Sequence, residues 1–209
     1  LDELKYTNTE NRNLRLYGSG FLALEIFRNV TARTTFGLNY DRTQAESFGQ
    51  PRSILSDLLG YGGWKWDSSS DRLDYNWRNE VSYVNNWGEH GLKATVASEY
   101  INSNNYYSLI NSRGYPNNIQ DVQVLGTVTP ADTYTNRWQL SRFGYLGVVN
   151  YDYSKKYFVD IYARRDGTSL AGLDNQYGTF WGASVAWDAA RENFLNSVSW
   201  LDTFRLSAS

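Results

Sequence analysis

The sequence predicts an all-β protein with the antiparallel, up-and-down strands of a transmembrane β-barrel. Apolar and polar residues alternate with a period of two in many separate windows, as in strands with one apolar and one polar face. Aromatic residues make up 16% of the 209 residues, yet the mean hydropathy is −0.57. The segments between the windows are short and long in turn. This combination is typical of barrel strands that face lipid on one side and a polar lumen on the other.

The strands are predicted from their alternating windows, taken in chain order. In the second strand, Val30, Phe36 and Tyr40 belong to the apolar row, and the third strand has an apolar row that only Asn79 interrupts. Similar alternation marks the fourth, sixth, seventh and eighth strands. The eight predicted strands lie near residues 14–27, 30–46, 71–85, 91–107, 136–152, 157–168, 177–189 and 201–209. Several exceed the roughly 9–11 residues that a strand needs to cross a bilayer.

The connections between the predicted strands differ in length. We predict short turns at 27–29, 86–91 and 153–156, long links at 47–70 and 108–135, and a shorter link at 169–176. Short periplasmic turns and longer extracellular loops are the pattern of outer-membrane barrels. A further connection at 190–200 contains one possible helical turn, at 191–196. Alternation alone also fits a soluble β-sandwich, and a closed eight-strand barrel is a third possibility.

The composition excludes several other classes of protein. The chain has 20 basic and 22 acidic residues, so no charge excess favours nucleic acid as a partner. It has no cysteine and one histidine, His90, which we expect to be exposed in a turn. We therefore predict no disulfide and no metal site. No catalytic constellation stands out, so we predict a protein that is not an enzyme and has no cofactor.

The most specific motifs begin at the predicted turn between the fifth and sixth strands. In chain order they are Asn150-Tyr151-Asp152-Tyr153-Ser154-Lys155-Lys156-Tyr157, Arg164-Arg165-Asp166-Gly167-Thr168-Ser169, Tyr177-Gly178-Thr179-Phe180, Ser184-Val185-Ala186-Trp187 and Arg191-Glu192-Asn193-Phe194-Leu195. In order and spacing they resemble the "NYxYxxKY", "RRDGSS", "xGxFPS", "SxxW" and "xExFL" motifs of the SusC-like TonB-dependent transporters of Bacteroidetes outer membranes. Residues 77–92 resemble that family more loosely, and residues 1–70 carry only the alternation.

The resemblance implies a function and a set of partners. It implies that residues 1–209 are part of a single TonB-dependent receptor β-barrel domain, with about eight strands of a 22-strand barrel and both edges open. The plug domain and the TonB box would lie outside this chain. The complete protein would sit in the bacterial outer membrane and import oligosaccharides, peptides or other nutrients, with the TonB complex, a SusD-like lipoprotein lid and membrane lipid as partners. The family pattern is broken at Leu170, Trp181-Gly182 and Val148, so the resemblance does not assign the solute.

Two groups of residues are candidates for contact with a solute. Charged and polar side chains on the polar rows are predicted to line the lumen, namely Arg33, Asn39, Arg78, Glu80, Lys93, Glu99, Asp160 and Arg164. Aromatic side chains in the two long loops are candidates for stacking on a ligand, namely Tyr61, Trp64, Trp66, Tyr106, Tyr107 and Tyr115. Within the family motif, Arg165 falls on the apolar row, Asp166 faces the lumen, and Gly167 is expected to permit a turn just past the strand.

Overall fold

The computed structural model describes residues 5–116, 122–172, 176–195 and 202–209, and it is almost entirely β-structure. The strands are β1 (Thr7–Phe27), β2 (Val30–Gly49), β3 (Trp64–Trp87), β4 (His90–Arg113), β5 (Thr127–Val128), β6 (Tyr134–Tyr153), β7 (Tyr157–Thr168), β8 (Tyr177–Asp188) and β9 (Arg205–Ala208). One short helix, α1, covers Ile54–Leu59, and 3₁₀ turns cover Gln123–Leu125, Pro130–Asp132 and Ala189–Arg191. None of the described helices is long and apolar enough to cross a membrane.

The strands form one antiparallel, up-and-down sheet, which confirms the predicted fold class. Their order is β1-β2-β3-β4-β6-β7-β8-β9, and the two-residue strand β5 pairs with the end of β4. A sandwich would need a second sheet packed on the first, whereas all the described strands belong to this one. A closed eight-strand barrel would need β1 to pair with β9, but these two strands end the order.

The predicted strand boundaries are accurate at the short turns and wrong in the long links. β2 extends to Gly49, β3 begins at Trp64 and β4 continues to Arg113, so much of both predicted loops is strand. Of the predicted helical turn at 191–196, only Arg191 is helical, as the last residue of the 3₁₀ turn Ala189–Arg191, and Asn196 lies outside the described residues. The final strand is shorter than predicted, and Leu201 also lies outside the described residues.

The chain divides into two compact units. The first comprises residues 1–18, 38–74 and 103–139, and the second comprises residues 19–37, 75–102 and 140–209. The first unit contains α1, whose N-cap Ser53 accepts a hydrogen bond from the Ser56 backbone N–H. The helix ends at Gly60, which has a left-handed backbone with φ 64°. Such a conformation favours glycine because a Cβ would crowd the backbone.

Burial on both faces explains why the sequence did not predict the strand residues at the start of β3, in the first unit. At the start of β3, Trp64 and Lys65 are successive residues on opposite faces, yet both are buried. The Lys65 ammonium is paired with the carboxylates of Glu46, at 3.3 Å, and Asp67, at 3.0 Å. A strand covered on both faces does not need an apolar and a polar row, so its sequence loses the period-two signal.

The second unit contains three of the tight turns between the long strands. Non-glycine residues with positive φ occur in two of them, at Asn29 (φ 69°), Ser154 (φ 52°) and Lys155 (φ 56°). In the third turn the residue with positive φ is a glycine, Gly88 (φ 56°). The register of β6, β7 and β8 is continuous from one strand to the next. Asn150, for example, is opposite Asp160, which is opposite Ser184. Since side chains alternate between faces, this register fixes which residues share a face.

Candidate functional site

One face of β6, β7 and β8, here called the polar face, carries a network of charged side chains. The Arg164 guanidinium donates to both oxygens of Asp166, at 2.8 and 2.7 Å, and to Glu99 of β4, at 3.0 Å. Asp160 accepts hydrogen bonds from Asn150, at 2.6 Å, and Ser184, at 3.3 Å. The structure thus joins Glu99 and Arg164, two of the residues predicted to line a lumen, in one ion-paired group.

The opposite face, here called the apolar face, is built from the alternate residues of the same strands. Ile161 is 51% exposed, Val185 is 54% exposed and Trp181 is 79% exposed. Large apolar side chains left open in this way along a whole sheet face need a cover other than water. Thus β6–β8 have one face suited to hydrocarbon and one suited to polar solutes.

Other predicted lumen residues make polar contacts of the same kind. In the second unit, Arg78 donates to Glu80 at 3.1 Å, and the Arg33 guanidinium lies 4.1 Å from the centre of the Phe21 ring. In the first unit, Asn39 donates to Asp41 at 2.9 Å and to Asp74 at 3.5 Å. Lys93, in β4, is exposed. In the described ranges, no three His, Asp or Glu side chains come together as a metal ion would require.

Within the motif Arg165-Asp166-Gly167, the position of the glycine differs from the prediction. Gly167 does not form a turn past the strand but lies within β7, directly opposite Tyr177 of β8. A Cβ at Gly167 would lie 2.7 Å from the Tyr177 ring, so the glycine makes room for that ring. Arg165 lies on the same face, with its guanidinium 5.2 Å from the centre of the Tyr177 ring. The glycine is therefore a packing residue.

The aromatic candidates of the first unit do not all lie in loops. Trp64 and Trp66 are in β3, and Tyr106 and Tyr107 are in β4, whereas Tyr61 and Tyr115 lie outside the strands. The loop assignment of these four residues is wrong, because β3 begins at Trp64 and β4 continues to Arg113. Trp64 is only 5% exposed and Tyr115 only 4%, whereas Trp66 is 42% exposed.

Several of these rings already have partners within the first unit. The rings of Trp64 and Trp66 have centres 4.7 Å apart, and Tyr115 meets Phe48 edge-on at 5.1 Å. The Arg113 guanidinium lies 3.8 Å from the centre of the Tyr61 ring. Rings held in this way are part of the packing. The candidate with the largest open ring surface is Trp66.

The remaining two candidates lie side by side in β4. The Arg137 guanidinium lies 5.2 Å from the centre of the Tyr106 ring, and the Tyr107 ring has its centre 5.6 Å from that of Tyr134. Tyr106 is 36% exposed. Tyr106 therefore retains accessible ring surface, although its neighbour Arg137 lies close to it.

Sequence analysis missed a group of side chains at the turn ends of the strands in the second unit, here called the turn cluster. It consists of Trp87, His90, Tyr151, Tyr153, Tyr157, Trp187 and Glu192. His90 is not an exposed turn residue: its ring stacks on Trp87, and its Nδ1 is 2.7 Å from the Tyr151 hydroxyl. Glu192 accepts hydrogen bonds from Tyr157, at 2.6 Å, Lys156, at 3.0 Å, and Trp187, at 3.2 Å. The spacing of Tyr157, Trp187 and Glu192 along the chain gave no signal that they converge.

Searches against known proteins found relatives along nearly the whole chain. No family model matches the sequence. TonB-dependent receptor P3 of Formosa agariphila is 29% identical over 97% of the chain, and SusC of Bacteroides thetaiotaomicron is 25% identical over 70% of it. The chain is a homologue of the TonB-dependent receptors. This confirms the resemblance found in the sequence motifs. The present chain spans about a fifth of the length of receptor P3.

Solved structures show the same fold in proteins of this kind. The structure of the RagAB peptide transporter matches 97% of the present chain, with a TM-score of 0.87 at 18% identity. The match covers 23% of the transporter chain. The siderophore receptor PiuA of Acinetobacter baumannii matches 87% with a TM-score of 0.51 at 12% identity. At these identities the likeness concerns the fold alone: the open antiparallel sheet matches part of a longer chain in each structure.

We predict that Glu192 makes the stability of the folded protein depend on pH. Hydrogen bonds from Tyr157, Lys156 and Trp187 lower the pKa of Glu192 to about 2. A carboxyl whose pKa is lowered on folding stabilises the fold above its unfolded pKa, and the contribution is lost as the pH falls from about 4.5 towards about 2. We expect the full-length protein to melt at a higher temperature than its Glu192→Gln variant at pH 7. The difference should shrink at pH 3, and a difference that stays constant over this range would contradict the assignment.

Proposed function

We propose that this chain forms part of the barrel wall of a TonB-dependent outer-membrane importer, which acts by binding and passing a solute and not by catalysis. The observation that carries the proposal is the opposition of the two faces of β6–β8. Exposed Ile161, Val185 and Trp181 lie on one face, and the Arg164 network lies on the other. Such opposition is what a lipid-facing outside and a polar inside require. The homology to TonB-dependent receptors supports the same function.

In this proposal the apolar face lies in outer-membrane lipid and the polar face lines the lumen. The residues that line the lumen are Arg33, Asn39, Arg78, Glu80, Lys93, Glu99, Asp160 and Arg164. The aromatic residues of the turn cluster, at the turns, then take the place of an interfacial girdle on the periplasmic side, where amphipathic rings are favoured. The longer connections lie on the outside of the cell.

Contacts with the solute are proposed for the accessible aromatic residues of the first unit. Trp66 and Tyr106 keep open ring surface, so they would stack directly on a sugar ring or an apolar side chain. Trp64 and Tyr115 are buried, so their part would be to hold the accessible rings in place. Tyr61 and Tyr107, which already contact Arg113 and Tyr134, complete the set.

The proposed partners follow from the homology and the sequence motifs. The complete protein would draw on the TonB complex for energy and would work with a SusD-like lipoprotein lid. Its solute would be an oligosaccharide or a peptide, since SusC is among the relatives and a peptide transporter has the same fold.

The absence of cysteine from the chain makes the assignment of faces directly testable. Single cysteines would be placed at 159, 160, 161 and 162 of β7 in the full-length protein, in whole cells and in isolated outer membranes. We expect a water-soluble maleimide to label the cysteines at 160 and 162, and a lipid-soluble maleimide to label those at 159 and 161. Equal labelling of all four positions, or absence of the protein from the outer-membrane fraction, would contradict the proposed function.

A further inference from the structure

A pocket of about 350 Å³ opens on the polar face, between the Arg164 network and the ends of β6, β7 and β8. Its volume is within the range of small-ligand sites. Arg142, Arg164, Asp166, Glu99 and Phe180 are among the residues that line it. The pocket lies wholly within the second unit. Sequence analysis did not identify it, because Arg142 and Phe180 belong to none of the charged or aromatic sets that the alternation selected.

The two arginines that line the pocket differ in their hydrogen bonds. Arg164 donates from Nε to both oxygens of Asp166 and from Nη2 to Glu99. Arg142 is exposed, and its guanidinium makes no hydrogen bond or ion pair with any residue that the structure describes. The two carboxylates and the two guanidinium groups of the pocket balance in charge, but both carboxylates are bound by Arg164, so Arg142 keeps its donors for a ligand.

An aromatic ring lies on the same face at the other side of the pocket. Phe180 is 56% exposed on the polar face, in register with Arg164. Its exposed ring face is open for stacking on a ring or an apolar group of a ligand. The Asp166 carboxylate lies over Gly144: a Cβ there would be 2.3 Å from it, so a larger residue at this position would displace the network.

The register gives the separation of the two unused groups. Arg142 lies opposite Thr168, and Phe180 lies opposite Arg164, four residues earlier on the same strand. Four residues of strand correspond to about 13 Å. This is the spacing of the two backbone positions along β7, and we expect a ligand of more than one unit to reach both side chains. It needs an anionic group at one end and a ring or apolar group further along.

We propose that this pocket binds a carboxylate-bearing oligomer, with the carboxylate on Arg142 and a ring or apolar side chain on Phe180. A guanidinium matches a carboxylate through two parallel hydrogen bonds, which makes arginine selective for this group. The inference rests on the proposed transport function and deepens it, because it assigns a charge to the solute. An acidic oligosaccharide and the C-terminal end of a peptide both offer this chemistry.

The test uses the purified full-length protein in detergent and two matched pairs of probes. One pair is an oligogalacturonate and its methyl ester, and the other is a short phenylalanine-containing peptide with a free C-terminus and its C-terminal amide. Affinities would be measured by equilibrium dialysis for wild type, Arg142→Gln, Arg142→Lys and Phe180→Ala. Arg28→Gln is the matched control, since it removes the same charge in the turn after β1, away from the pocket.

We expect wild type to bind the carboxylate member of at least one pair about tenfold more tightly than its neutral partner. Arg142→Gln should abolish that preference, Arg142→Lys should keep part of it, and Arg28→Gln should retain all of it. Phe180→Ala should weaken both members of the pair. Because Arg142 has no partner among the described residues, its replacement should leave the melting temperature unchanged.

Which pair shows the preference distinguishes an acidic sugar from a peptide as the source of the carboxylate. Equal binding of charged and neutral probes, binding of no probe, or a preference that survives Arg142→Gln would overturn the carboxylate site. Failure of the transport proposal has a separate signature, which is the loss of alternating maleimide labelling in the outer membrane.

Discussion

Replacing Ile161 by arginine should destabilise the assembled barrel by about 2–4 kcal/mol, because it places a charge in the hydrocarbon near the middle of the membrane. Ile161 is 51% exposed on the apolar face, between Val149 and Ala183 in the sheet register. Its cross-strand neighbours on that face are apolar in the described register, so none of them can pair with the new charge. The urea midpoint of the full-length protein and its heat-modifiable migration on gels would measure the loss.

Ser184→Arg is the matched control for this substitution. Ser184 lies on the adjacent strand but on the polar face, directly opposite Asp160, which already accepts a hydrogen bond from its hydroxyl. An arginine there can pair with that carboxylate, so we expect stability close to that of wild type. If Ile161→Arg assembled normally and Ser184→Arg did not, the two faces would be assigned the wrong way round.

Replacing Trp64 by alanine should cost about 3–5 kcal/mol, as removal of a large buried aromatic side chain does. Trp64 is 5% exposed, its ring packs against Trp66, and a Cβ at Gly49 would lie 2.1 Å from its indole nitrogen. Its loss leaves a cavity that the surrounding strand ends fill only in part. The neighbouring Lys65 is 3% exposed, so its peptide bond is protected from trypsin in the folded unit. We expect Trp64→Ala to make the chain cleavable after Lys65.

Trp66→Ala separates a binding role from a packing role. Trp66 is 42% exposed, so its removal should leave Lys65 protected and lower the melting temperature far less than Trp64→Ala does. If Trp66 stacks on the solute, the variant should lose affinity while remaining folded. Equal cleavage after Lys65 in both variants would show that both tryptophans are structural.

Period-two alternation predicted the fold wherever one face of a strand meets polar surroundings and the other remains apolar. The strands around Ile161 and Asp160 were therefore found with nearly correct ends. The signal failed around Trp64 and Lys65, since both faces of that segment are covered and the buried lysine is neutralised by Glu46 and Asp67. The expectation for Gly167 failed for a related reason: glycine is common in turns, but here it accommodates a ring from the adjacent strand.

The candidate site was only partly predictable. The alternation placed Glu99, Asp160 and Arg164 among residues of polar rows, and the structure shows the first and third in contact. It did not show that Arg164 would bind both carboxylates while Arg142 has no partner among the described residues, because that depends on the register between strands. Glu192 was found only as part of a motif. Its carboxylate receives three hydrogen bonds because two separate turns of the chain lie next to each other.

Several arginines of this sheet share one arrangement, in which the carboxylate partner lies two residues further along the same strand. Arg72 is paired with Asp74, Arg78 with Glu80, and Arg164 with Asp166. Each pair is a short dipole whose field falls off within a few ångströms. If this face lines a lumen, as proposed, a migrating molecule would meet shallow energy wells of similar depth at these pairs. Fast transit requires such a profile, since a site that binds too tightly releases its cargo slowly.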